Sequence, residues 1–121
     1  MEEITLYTKF GKPVVYISPD HGYAIYTWTG HAVSYIYEDK IYGWRGRHLG
    51  WFINGIVYNL RGYRVGYTRE TCPYAVYASY AKYAKYAQYA RYARYAPYAR
   101  PALSSSDSSE DLEQFLSQDK I

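Results

Sequence analysis

The sequence predicts an all-β domain over residues 1–70, a four-fold repeat of β-hairpins in a closed or strongly curved assembly, followed by a low-complexity, disordered tail. The first observation behind this is a pattern repeated around Gly11, Gly30, Gly46 and Gly62. Each glycine has a tyrosine four residues before it (Tyr7, Tyr26, Tyr42, Tyr58) and an aliphatic residue five before it (Leu6, Ile25, Ile41, Val57). Three residues after it stands Val14, Val33, Leu49 or Val65, and five after it Tyr16, Tyr35, Trp51 or Tyr67. The glycines are 19, 16 and 16 residues apart. A unit that short cannot bury an apolar face alone, so the copies must share one core. The second observation is composition: residues 4–68 are rich in Tyr, Val, Ile, Thr and Trp, which suit a pleated, half-buried surface. The third is a change of texture after residue 70, where repeated Tyr-Ala triplets replace the strand pattern.

Turn chemistry divides each repeat at its glycine into two strands, such as Ile56–Asn59 and Arg64–Thr68. The repeats are joined by Ser18-Pro19-Asp20-His21-Gly22, by Glu38-Asp39-Lys40 and by Asn54-Gly55. Asn-Gly between apolar runs is a strong hairpin signal, because a type I′ turn needs positive φ at both positions. Eight strands of about four to six residues in a meander result. Within each unit the tyrosine and its aliphatic neighbour must point to opposite faces. Both faces then carry large groups, which fits a closed or strongly curved assembly better than an open sheet.

The units Ile41-Tyr42-Gly43-Trp44-Arg45-Gly46-Arg47-His48-Leu49-Gly50-Trp51 and Val57-Tyr58-Asn59-Leu60-Arg61-Gly62-Tyr63-Arg64-Val65-Gly66-Tyr67 resemble the I-Y-x-x-x-G-x-x-V-G-Y repeats of the four-fold β-flower family. That resemblance implies four hairpins set as petals around a pseudo-four-fold axis, a binding scaffold with no assigned activity, and a shape like that of tubby-like lipid-binding barrels. The second glycine of the motif is kept at Gly50 and Gly66 but is Val15 and Ser34 in the first two units.

Residues 71–103 form a tract with five Lys/Arg and no acid, and residues 74–100 within it are nine Tyr-Ala-x triplets. A period of three aligns every tyrosine in one row in a polyproline II or 3₁₀ conformation, whereas an α-helix spreads them around its surface. The simplest expectation is a disordered spacer. Residues 104–121 hold five acids against Lys120, and open on a Ser-rich, solvated stretch. Leu112, Phe115 and Leu116 then fall on one face of a short helix, a candidate motif for a protein partner, since so short a helix does not persist alone.

For catalysis the inventory is thin. His21, His31 and His48 occupy unmatched positions, no ligand spacing indicates a metal, and neither a phosphate-cradling loop nor a nucleophile elbow occurs. No enzyme activity, cofactor or metal is expected. Single Cys72 and an acidic N-terminus without an apolar run suggest a cytoplasmic protein. Trp28 and Trp44, two residues before their glycines, stand where other units have Lys9 and Leu60, so they are expected to be exposed. With Arg45, Arg47, Arg61 and Arg64 they make a candidate surface for an apolar, amphipathic or membrane-like ligand. The expected function is a non-enzymatic binding or adaptor module. Two alternatives are self-association through the Tyr-rich tail and single-stranded nucleic-acid binding by its tyrosines and cations.

Overall fold

Eight short strands close into one antiparallel barrel, each paired with its neighbour in sequence and the last with the first. In the computed structural model, which describes all 121 residues, they are β1 (Ile4–Tyr7), β2 (Pro13–Ser18), β3 (Ala24–Thr27), β4 (Ala32–Tyr37), β5 (Lys40–Gly43), β6 (His48–Ile53), β7 (Ile56–Asn59) and β8 (Arg64–Tyr67). A short helix, α1 (Leu112–Ser117), ends the chain. The Asn54-Gly55 turn has positive φ at both residues, 52° and 78°, as a type I′ hairpin requires. Because the meander alternates direction, the turns at Gly11, Gly30, Gly46 and Gly62 all lie at one end of the barrel.

All four petals carry the same irregularity. The register shifts between Leu6 and Tyr7, Ile25 and Tyr26, Ile41 and Tyr42, and Val57 and Tyr58. Each shift is a bulge that places two residues of the second strand against one of the first. The bulge lets consecutive positions, such as Val14 and Val15, both meet the interior. The inner face is therefore aliphatic: Leu6, Ile25, Ile41, Val57, Val33, Leu49 and Val65 share one core with Leu112, Phe115 and Leu116 of α1. The tyrosines and Trp51 lie on the outer face.

The helix covers the glycine-turn end. Its N-cap is Asp111, whose carboxylate accepts the Gln114 amide at 2.9 Å. Glycine makes room for it. A Cβ on Gly66 would lie 2.6 Å from Leu112, and one on Gly50 3.1 Å from Phe115 and 2.0 Å from the Tyr58 carbonyl oxygen. In these two petals the second glycine of the repeat motif leaves that space, whereas the first two petals carry Val15 and Ser34 there.

The tail expected to be disordered is instead an ordered strap. The Tyr77, Tyr86, Tyr95 and Ser104 amides donate to the carbonyls of Gly11, Gly30, Gly46 and Gly62, each at 2.9 Å. Those four residues are nine apart, so three triplets of tail match one petal of barrel. The strap has no helix or ladder of its own; its peptide groups find partners on the turns instead. After Ser104 the chain pairs with Arg64 through Ser106 and Ser108 and enters α1. The boundary drawn at residue 70 therefore separates two compositions that pack as one body.

Ser34 is fully buried and its hydroxyl has no hydrogen-bond partner. An unpaired buried hydroxyl costs free energy that a methyl group does not. Ser34→Ala is expected to stabilise the protein by about 1 kcal/mol in a denaturant titration, and a loss of stability would show that the hydroxyl is satisfied in solution.

Candidate functional site

The outer face of the barrel is an aromatic belt built twice over. Tyr16 stacks on Tyr26 at 5.6 Å with Trp28 edge-on to Tyr16, and Tyr35 stacks on Tyr42 at 5.9 Å with Trp44 edge-on to Tyr35. Each set joins one petal to the next. Above each lies a pair of strap cations nine residues from its counterpart. Lys82 sits 4.4 Å from the Tyr16 ring and Arg91 4.0 Å from the Tyr35 ring; Lys85 sits 5.6 Å from Tyr26 and Arg94 5.6 Å from Tyr42. These are cation–π distances, each worth about 0.5–2 kcal/mol according to desolvation. Lys82 and Lys85 also bridge to Glu3 at 2.9 and 2.7 Å. Burial alone would raise the Glu3 carboxyl, but the two ammonium groups outweigh it and hold it below its ordinary value.

Backbone and indole groups complete the fastening. Trp28 Nε1 donates to the Tyr80 carbonyl at 2.9 Å and Trp44 Nε1 to that of Tyr89 at 2.8 Å. In return the Tyr83 and Tyr92 amides donate to the Trp28 and Trp44 carbonyls. The fourth petal lacks this exchange, since Leu60 has no indole and Pro101 has no amide hydrogen.

The consequence is an outward row. The strap's cations turn toward the barrel, while its nine tyrosines, from Tyr74 to Tyr98, remain 52–89% exposed. The strap passes the four glycine turns in order, so these rings radiate from the barrel as a collar. A few lean on the barrel rim: Tyr86 stacks on His31 at 4.5 Å, Tyr74 lies 5.6 Å from Phe10, and Tyr98 lies 5.9 Å from His48.

The residues singled out in the sequence do not form one surface. Trp44 is buried and Trp28 half-buried, a correction to the expected exposure, because the strap lies across both. Arg45 donates to the Lys120 carbonyl at 3.2 Å, and the Arg47 amide to the Asp119 carboxylate at 3.0 Å, where Gly43 leaves space for Asp119. Arg61 reaches over the Tyr63 ring at 5.8 Å, and Arg64 holds the Ser104 carbonyl at 3.1 Å. Three of the four arginines thus hold the tail. Leu112, Phe115 and Leu116 are buried in the barrel rather than presented outward. The residues that sequence reasoning missed are Lys82, Lys85, Arg91 and Arg94 as inward anchors; their nine-residue spacing was the available signal.

His48 takes one of the strap's backbone amides directly. It is buried among Tyr42, Trp51 and Tyr98. Its Nδ1 accepts the Tyr98 amide at 3.0 Å and its Nε2 faces the Gly50 carbonyl at 2.9 Å. An amide only donates and a carbonyl only accepts, so the ring is neutral with its proton on Nε2. Burial lowers its pKa from 6.5; the Gly50 hydrogen bond opposes this, while Lys40 pushes it down and Asp39 up.

At the opposite end, the barrel opens into an apolar mouth of about 360 Å³ lined by Ile4, Ile17, Tyr23, Ile36, Phe52 and Glu38. No group of three or more His, Cys, Asp or Glu side chains converges anywhere. No helix is long and apolar enough to cross a membrane. Cys72 Sγ lies 3.4 Å from the Thr8 carbonyl, where the strap leaves β8 and crosses to the first petal.

Comparison with known proteins agrees with this architecture. The chain belongs to the 4-fold beta flower family, whose model matches residues 4–116. The match runs through the strap and into α1, well past the barrel. Among curated proteins and solved structures, none matches significantly.

A pH effect follows from His48. The unfolded histidine takes a proton below about 6.5, while the buried ring resists it, so stability falls as pH drops from 6.5 toward the lowered native value. The Tyr98 amide resonance is expected to move at the acid end of that window, where the native ring itself takes a proton, and His48→Gln should abolish that step. Stability flat from pH 7 to 5 would contradict the assignment.

Proposed function

We propose that this chain is a non-enzymatic interaction protein that associates with copies of itself through the tyrosine collar. The observation that carries this reading is that the nine strap tyrosines are exposed although the strap beneath them is fastened. An ordered, extended aromatic surface of this kind marks an interaction site. The backbone that carries the rings is already fastened, so less conformational entropy is lost when they are covered. Tyrosine also suits such a role, combining a large flat ring with a hydroxyl that donates and accepts. The nucleic-acid alternative loses support on the same ground: Lys82, Lys85, Arg91 and Arg94 lie on barrel rings, away from any phosphate beside the tyrosines.

A second reading, a binding module for an apolar or amphipathic ligand, is favoured by the mouth at Ile4, Ile36 and Phe52. It moves the expected ligand surface from the tryptophans, which the strap occupies, to the far end of the barrel.

Sedimentation velocity of the full chain over a concentration series tests the first reading. Association is expected, weakened by at least about tenfold in Tyr80→Ser/Tyr89→Ser/Tyr98→Ser, and little changed by added salt because the collar's contacts are not ionic. A monomer at every concentration would remove it. Uptake of a fatty-acid spin label, lost in Phe52→Asp, would then favour the ligand reading.

A further inference from the structure

We infer that the collar makes self-association open-ended, with three lateral contact faces on each copy, a claim that rests on the self-association proposed above. The argument begins with the match between nine residues of strap and one petal. Between the bonds at Gly11 and Gly30 the strap presents Tyr77, Tyr80 and Tyr83. Between Gly30 and Gly46 it presents the equivalent Tyr86, Tyr89 and Tyr92. The third arc, ending at Gly62, carries Tyr95 and Tyr98, with Pro101 in place of the third ring. Because the glycine turns stand around a closed barrel, the arcs face different directions and one copy cannot bring two of them to the same neighbour.

The occupant of each arc is another arc. Each is self-complementary: rings spaced every three residues meet rings spaced every three residues, and each hydroxyl both donates and accepts. Charge permits it. The strap's x positions are neutral, as at Ser79, Gln88 and Pro97, or cations folded back onto barrel aromatics, as at Lys82 and Arg91, or, at Arg100, a half-exposed guanidinium paired with Asp39 at 3.7 Å. Glu3 offsets one of the two charges of Lys82 and Lys85. Two tracts that would repel as extended chains thus meet as tyrosine and alanine surfaces. A two-fold pairing of one arc closes at a dimer; three arcs on different sides allow each dimer to bind further copies, so growth branches.

The test removes arcs one at a time from the full chain. The variants are Tyr77→Ser/Tyr80→Ser/Tyr83→Ser, Tyr86→Ser/Tyr89→Ser/Tyr92→Ser, and the two combined, each checked for an unchanged fold by near-ultraviolet circular dichroism and by Trp28 and Trp44 emission. Light scattering and sedimentation velocity follow assembly size with concentration. Wild type is expected to grow beyond dimers without a limiting size. Each single-arc variant should need at least about tenfold more protein to reach the same size, and the combined variant should stop at dimers through the third arc. A wild-type assembly that stops at a dimer would overturn the three-face inference while leaving self-association standing. A monomer throughout would overturn both. Growth that survives in the combined variant would also overturn the inference, since it would place the contact off the collar.

Discussion

Everything outside the barrel depends on the glycine turns. At Gly11, Gly30 and Gly46 φ is +87°, +96° and +96°, and a Cβ would fall 2.1–2.3 Å from the carbonyl oxygens of Ala75, Ala84 and Ala93. At Gly62 the corresponding distance, to the Ala102 oxygen, is 2.6 Å. Glycine is needed twice over at these positions, for a backbone that L side chains seldom adopt and for the approach of the strap. The residue two further along the strap then donates its amide to the same glycine's carbonyl. Alanine fills all four approach positions, and the nine-residue spacing follows from the barrel's four-fold repeat.

This fastening resolves a difficulty in the barrel itself. A barrel of about 70 residues with large groups on both faces has too few residues to cover either face. The chain solves this from its own C-terminal part. The strap covers much of the outer aromatic belt and α1 fills one end of the aliphatic interior. Polar groups in the strap are matched in the same way: carbonyls take the Trp28 and Trp44 indoles, and amides go to turn carbonyls. The tyrosines are the remainder, neither needed to hold the strap nor shielded by it, which is why they are the part most open to function.

Much of the barrel was legible in the sequence because each rule acts locally. The glycine spacing, the alternation of Tyr with Leu, Ile or Val, and Asn54-Gly55 each specify a turn or a face within a few residues. The strap was not legible by the same means. A Tyr-Ala-x tract has no apolar periodicity of either standard kind, and nothing local distinguishes a disordered triplet repeat from one fastened along its length. The signal lay in a ratio, nine residues of tail to one petal, visible only when both repeats are considered together. Trp28 and Trp44 escape a local reading for the same reason: comparison with Lys9 and Leu60 suggests a wet position, but the strap lying across them buries Trp44 and half-buries Trp28. Leu112, Phe115 and Leu116 were recognised as one apolar face, and only the fold could say that the surface they needed was the chain's own barrel.

Amide hydrogen exchange across residues 74–104 tests most directly whether the tail is part of the fold. The account predicts slow exchange at Tyr77, Tyr86, Tyr95 and Ser104, whose amides are held by the four glycine carbonyls, with fast exchange at Tyr80 and Tyr89, whose amides have no partner. Uniformly fast exchange through the tract would contradict the strap, and with it the collar that depends on it.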